Sequence, residues 1–302
     1  MAARPSMIVH SGAGSGKFPR TDPRFRELKN ALEEGLRETR RGSSVDGVTR
    51  AVEYMEESGV FNAGKGSCLT VDGRVQLDAA IMRGDSTKGA GVGVVTCTYH
   101  PVTLARWLME NTNHVLLAGE ECRRYALAAG LKTFVLRPSK ASLKRFGRLK
   151  AELSGAGKWN VPLWERLQEG NTVGAVAVDS DGVPSAAVST GGMWLKLPGR
   201  VGDSAVLGAG LYADQSGAAC ATGRGEEIIK NALCWNACEH IRELGAPKAA
   251  RSVISVITKR SGAETAGIVT IDLKGRVGYA YNTEAMGRAW YDHTKGRPIV
   301  RI

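Results

Sequence analysis

No apolar run in this chain approaches the ~18 residues that a membrane-spanning helix needs. The opening Met1-Ala2-Ala3-Arg4-Pro5-Ser6 has no signal-peptide core. The six cysteines (Cys68, Cys97, Cys122, Cys220, Cys234, Cys238) form no CxxC pair and no Cys/His cluster at zinc spacing. Cys234 and Cys238 stand four apart with His240 near, but His240 falls on a different helical face, which argues against a metal there. Aromatic residues are few, at 6%, and no basic and aromatic stripe of the kind used to bind single-stranded nucleic acid is present. What these absences leave is a cytoplasmic protein with reduced, mostly buried thiols, without membrane or nucleic-acid partners.

What is present describes an ordinary globular chain. With 302 residues, 43% hydrophobic and 24% charged, it can bury a sizeable core as one large domain or two smaller ones. The 38 glycines exceed the usual share of about 7%, so tight turns and close backbone approaches are expected. The net charge of +11 is local. Between Leu131 and Lys158, eight basic residues face one acid, Glu152, so this segment carries +7 and the remainder only +4. That stretch, rich in charge and interrupted by proline and glycine, reads as a solvated linker over about 137–171.

Met7 to His10 reads as a strand. The glycine-rich loop Ser11 to Gly16 follows it, without the lysine and serine or threonine ending of a phosphate loop. Apolar residues at helical spacing mark helices over Arg24 to Arg41 and Ser44 to about Glu57. Val75 to Met82, Gly91 to Thr98 and His114 to Leu117 read as strands. Pro101 opens a short helix and Glu120 to Ala129 forms another. Past the linker, Val173 to Asp179 and Pro184 to Thr190 flank an Asp181-Gly182 turn, a strong hairpin signal. Ala205 to Gly208 reads as a strand, Glu226 to about Leu244 as one long helix, and Pro247 to Lys259 as the next. Gly267 to Asp272, Val277 to Tyr281 and Gly287 to Tyr291 close the chain as strands. Strands, helices, then strands in both halves predict antiparallel sheets between helical layers.

Thr172 stands between the polar approach Gln168-Glu169-Gly170-Asn171 and the strand that follows. β-branching alone places a threonine there. Freed by a cut at Asn171-Thr172, however, it gains an α-amine titrating near ~7.7 to 8 beside its own hydroxyl, and so carries nucleophile and base in one residue. Asn62, in the loop Phe61-Asn62-Ala63-Gly64-Lys65-Gly66, either holds a turn or offers an amide donor to an oxyanion.

The strings HSGAG, FNAGKGS, NTVGAVAVD, STGG, GRVGDS, LGAGLYAD and ATGRGE run in order from residue 10 to residue 225. Together they resemble the plant-type L-asparaginase and isoaspartyl peptidase family of N-terminal nucleophile hydrolases. The resemblance implies an α+β fold, a four-layer αββα sandwich of two mainly antiparallel sheets, with 1–302 as a single domain. It implies self-cleavage into an α subunit 1–171 and a β subunit 172–302. By the same resemblance Thr172 is the nucleophile, Thr190 orients it, and Thr222 with Asn62 forms the oxyanion hole. Arg200 would take the substrate's α-carboxylate and Asp203 its α-ammonium, with Gly223 and Gly225 completing the site. Arg200 and Asp203 are also close enough in sequence to pair with each other.

The implied substrates are L-asparagine and β-aspartyl dipeptides, with no catalytic cofactor. A structural sodium ion at the loop Glu56 to Cys68 and a homodimer of αβ units are also implied. A glycosylasparaginase-type amidase and a slowly processed basic binding protein are the alternatives. Three departures stand out: Asn171 precedes the cut where this family usually has glycine, Ser11 replaces a glycine, and Ser58-Gly59-Val60 differs from the usual approach to FNAG. Asn171 lacks the basicity of an aspartate and the backbone freedom of a glycine, so the rate of self-cleavage is expected to hinge on it.

Overall fold

A computed structural model describes residues 4–14, 19–155 and 171–302. Strands β1 (Ser6–Gly14), β2 (Leu77–Arg83), β3 (Lys88–Val95) and β4 (Leu116–Ala118) precede Thr172. After it come β5 (Val173–Val178), β6 (Pro184–Thr190), β7 (Leu211–Asp214), β8 (Gly217–Gly223), β9 (Ala266–Asp272), β10 (Val277–Tyr281), β11 (Ala285–Asp292) and β12 (Arg297–Arg301). One sheet has eight strands in the order β12-β11-β1-β5-β6-β2-β3-β4, and the other has four, in the order β10-β9-β8-β7. Among the described strands only β3 and β4 pair in parallel; every other neighbouring pair is antiparallel.

Helices α1 (Pro23–Arg41), α2 (Ser44–Ser58), α3 (Pro101–Asn111), α4 (Cys122–Ala128) and α5 (Lys140–Gly155) lie before Thr172 in sequence. The helices α6 (Gly225–Lys230), α7 (Leu233–Leu244) and α8 (Ala246–Ser261) come after it. Alternation along the strands sorts their side chains into three cores. In β1, Met7 and Val9 pack with Leu28, Leu32 and Val52 of α1 and α2, whereas Ile8 faces the second sheet. Within β8, Ala218 and Cys220 join the core between the sheets, while Ala219 and Ala221 face α7 and α8. Three cores separate four layers, as the αββα expectation requires. β5 is covered on both faces, which is why its whole run Val173–Val178 is apolar or glycine and buried.

Several elements differ from the sequence reading. The expected strand Ala205 to Gly208 is instead a 3-10 turn over Asp203–Ala205 followed by a bend at Gly208, whose φ is +89°. The strand begins only at Leu211. The long helix expected from Glu226 breaks at Asn231, because Ala232 takes a left-handed conformation (φ 43°). β7, β8 and β12 were not expected as strands. In the basic segment, residues 140–155 form α5 rather than a solvated linker. Leu153 is buried and Phe146 and Leu149 pack on the first core, so one helical face has apolar work to do. The helix also docks on the Ser67–Val71 backbone: Ser142 Oγ donates to Ser67 O (3.0 Å) and Lys150 Nζ to Val71 O (2.8 Å). The remainder of that predicted linker, 156–170, lies outside the described residues, as do Ser15 and Gly16 of the glycine-rich loop.

Candidate active site

Thr172 sits at the mouth of β5, in the middle of the larger sheet, and is 6% exposed. Its neighbour β6 ends on Thr190, and Thr222 lies near the end of β8 in the smaller sheet. The two sheets therefore bring three threonines together from three strands. The Thr172 backbone N–H donates to Thr222 Oγ1 at 3.3 Å. On the other side of the same peptide bond, the Asn171 carbonyl oxygen accepts from Asn62 Nδ2 at 2.6 Å and from Thr190 Oγ1 at 3.2 Å. Thr190 is itself held, since its Oγ1 accepts from the Gly192 N–H at 2.9 Å.

Asn62 is locked in place by its own partners. Its Oδ1 accepts from the Cys68 N–H (2.7 Å) while Nδ2 also donates to Gly192 O (2.6 Å). An oxygen that accepts from a backbone N–H fixes which end of the amide points at Asn171. Two donors aimed at one carbonyl oxygen polarise it and can stabilise the charge that develops when its carbon is attacked. Asn62 and Thr190 thus converge on the bond expected to be cut, and Thr222 meets the nitrogen that such a cut would release.

The backbone around this bond is closely fitted. Gly12 has φ +114°, at a point where the β1–β11 ladder shifts register between His10 and Gly12. A Cβ on Gly12 would overlap the Asn171 side chain. The chain thus accommodates asparagine before the cut by leaving Gly12 bare. His10, fully buried beneath Gly174, is neutral at physiological pH: burial pushes its pKa down to about 3, which outweighs the opposing effect of the Thr172 backbone.

Arg200 and Asp203 flank a second glycine. A Cβ on Gly225 would lie 2.6 Å from Arg200 Nη2 and 2.7 Å from Asp203 Oδ1, so only glycine fits between them. They do not pair with each other as the sequence allowed. Arg200 instead forms a bidentate pair with Glu226, from Nε to Oε1 at 2.9 Å and from Nη2 to Oε2 at 3.0 Å. Asp203 Oδ2 is buried without a hydrogen-bond partner among the described residues. Burial pushes the Asp203 carboxyl up to about 7, with the Arg200 guanidinium only partly offsetting it. A buried carboxylate of this kind is completed by a cation. Gly223, at φ +138°, passes close to the Thr265 carbonyl and delivers the chain from β8 to α6.

Sequence reasoning missed four participants: Glu226, Lys196, Asp78 and Gln76. Glu226 lay inside the string ATGRGE but carries a role only once the fold sets it against Arg200. The others are ordinary strand and loop residues whose burial no local pattern announces. Glu56, in the loop read as a sodium site, is fully buried and pushed up to about 7 by that burial, with His100 Nδ1 3.6 Å away. Among the described residues no cluster of three or more His, Cys, Asp or Glu side chains stands ready for a metal, and no helix is long and apolar enough to cross a membrane.

A family model described as asparaginase matches residues 3–300. The chain is 43% identical over 292 residues to a plant-type L-asparaginase of Pyrobaculum calidifontis, with 94% of this chain and 96% of that protein covered. A plant-type L-asparaginase of Thermococcus kodakarensis is 39% identical, with 98% and 99% covered. An isoaspartyl peptidase of Escherichia coli is 37% identical, with 94% and 92% covered. With its four-layer sandwich and a match over nearly its whole length, the chain belongs to the asparaginase family that includes plant-type L-asparaginases and isoaspartyl peptidases.

Proposed function

We propose that this protein cuts itself before Thr172 and then hydrolyses the side-chain amide of L-asparagine and the isopeptide bond of β-aspartyl dipeptides. One observation carries the reading: the Asn171 carbonyl oxygen rests between Asn62 Nδ2 and Thr190 Oγ1 while the Thr172 nitrogen faces Thr222 Oγ1. In self-cleavage Thr172 Oγ attacks the Asn171 carbonyl carbon, and the two donors stabilise the oxyanion. The C–N bond breaks, the nitrogen leaves as an amine, and water hydrolyses the resulting ester.

Thr172 then presents a free amine next to its hydroxyl. Unprotonated near neutral pH, that amine takes the hydroxyl proton as Oγ attacks the substrate's β-carbonyl. Asn62, vacated by the Asn171 carbonyl, and Thr222 supply donors to the new oxyanion; loss of one such donor costs ~2.7 to 4 kcal/mol of transition-state stabilisation. Arg200 takes the α-carboxylate and Asp203 the α-ammonium. Ammonia or an amino acid leaves, and water releases aspartate from Thr172. Gly223 and Gly225 keep the floor of the site free of side chains.

The carbonyl oxygens of Phe61, Ala63 and Gly64 belong to the loop Glu56 to Cys68, and each accepts a hydrogen bond while having a second lone pair. That loop is our candidate for a structural sodium ion, which takes no part in the chemistry. A homodimer of αβ units is the assembly we propose. The cytoplasm is the proposed compartment, in keeping with six cysteines that are all free and buried.

A denaturing gel with N-terminal sequencing tests the reading. Fragments of 171 and 131 residues, roughly 18 and 14 kDa of the 32.1 kDa chain, are expected, the smaller beginning at Thr172. Thr172→Ala should stay in one piece and lack activity. An intact Thr172→Ala chain that hydrolysed β-aspartyl peptides would overturn the mechanism.

A further inference from the structure

Behind the loop that carries Arg200 lie two buried side chains of opposite charge, Lys196 and Asp78, that the hydrolytic scheme does not use. Lys196 is fully buried, and its ammonium donates to the Gln76 carbonyl at 2.8 Å. Burial lowers its pKa, while the nearby Asp78 carboxylate acts in the opposite direction. Asp78 is also fully buried, and its two oxygens have separate duties: Oδ1 accepts from the Val94 N–H (2.9 Å) and Oδ2 from the Gly202 N–H (3.0 Å). Gln76 Oε1 accepts from the Gly199 N–H at 2.9 Å. The segment bearing Arg200 is therefore tied at both ends, Gly199 through Gln76 just before β2 and Gly202 through Asp78 within it.

The attachment is built where the sheet departs from regularity. The β2–β3 ladder jumps from Leu77 opposite Val95 to Ala79 opposite Val92, so Gly93 and Val94 bulge opposite Asp78. Val94 has φ 55°, which is costly for a β-branched residue, and its N–H is the one that Asp78 holds. Across β6, Asp78 is register partner to Thr190. A side chain built on Gly192 would lie 2.9 Å from Lys196 Nζ and 3.3 Å from Arg200 Nη1, so the strip between Thr190 and Arg200 rests against both cations.

We propose that Gln76, Asp78 and Lys196 are positioning residues that set the Arg200–Asp203 loop at its working distance from Thr172. They touch no substrate. Asp78 balances the buried charge of Lys196 beside Arg200, leaving the guanidinium to outward-facing carboxylates: Glu226 before substrate arrives, the substrate's α-carboxylate afterwards. The inference rests on the asparaginase reading above. Because the brace governs where the α-groups are held and not the acyl chemistry, its loss should appear in substrate binding.

Asp78→Asn, Lys196→Met and Gln76→Met, assayed with L-asparagine on self-cleaved protein, test the proposal. The expected result is a rise in KM of about tenfold or more, with kcat within about twofold of wild type. An unchanged KM, or a fall in kcat at unchanged KM, overturns it. If an unpaired buried charge stops Asp78→Asn or Lys196→Met from folding and cleaving, Gln76→Met decides, since it leaves that pair in place. An inactive wild type overturns the underlying function as well, whereas an active wild type with unmoved variants overturns the brace alone.

Discussion

At the scale of single residues, Asp203 sets a pH dependence with a definite sign. Its folded pKa is raised, by burial, from 3.8 to about 7, so between these values the folded protein keeps a proton that the unfolded chain has lost. Its contribution to stability is full below pH 3.8 and declines as pH rises through 7. Substrate recognition runs the opposite way, because only the ionised carboxylate attracts an ammonium. The KM for L-asparagine should therefore climb as pH drops below about 7, and Asp203→Asn should raise KM and remove that limb of the profile; steady-state kinetics between pH 5 and 9 read both. Glu226 works on the same scale. It neutralises Arg200 in the substrate-free site, so an incoming carboxylate meets an arginine already held in a bidentate pair.

At the scale of elements, the turn out of β1 and the residue before the cut are a matched pair. Gly12→Ala places a Cβ in the volume occupied by the Asn171 side chain, on a backbone whose φ of +114° no alanine readily adopts. The scissile carbonyl should be displaced from its two donors and the chain should stay largely uncut on a denaturing gel. Adding Asn171→Gly vacates that volume and should restore part of the cleavage; failure to restore any would show that backbone strain at Gly12, not the collision, is decisive.

Helices α1 and α2 were legible because their apolar residues repeat at 3.6, and the β5–β6 hairpin because two short strand-like runs flank the Asp181-Gly182 turn. β8 was not: its run Gly217-Ala218-Ala219-Cys220-Ala221-Thr222-Gly223 is small residues throughout, because it is squeezed between one sheet and a helical layer. α5 was misread because its basic residues (Lys140, Lys144, Arg145, Arg148 and Lys150) dominate the reading of the segment, although Phe146, Leu149 and Leu153 already stood at helical spacing.

For the whole molecule, the cleavage proposed before Thr172 would be a cut without a separation. β1 lies between β5 and β11, and β2 pairs with β6, so strands from both sides of residue 172 alternate in the larger sheet. The two fragments should co-elute on native gel filtration and unfold in one transition, separating only in denaturant; two native peaks would contradict the interlock. The sequence alone determined the layer pattern, and through a resemblance carried by local strings it singled out Thr172 ahead of an apolar strand and Asn62 in a glycine loop as candidates for the chemistry. Only the tertiary structure decided that Arg200 pairs with Glu226 and not Asp203, that Asn62 and Thr190 share the Asn171 carbonyl, and that Gln76 and Asp78 hold the Gly199 and Gly202 N–H groups on either side of Arg200. These depend on which strands become neighbours and on how deeply each charge is buried. Both are set by the packing of segments far apart in sequence, 124 residues in the case of Asp78 and Gly202, and no local sequence pattern encodes them.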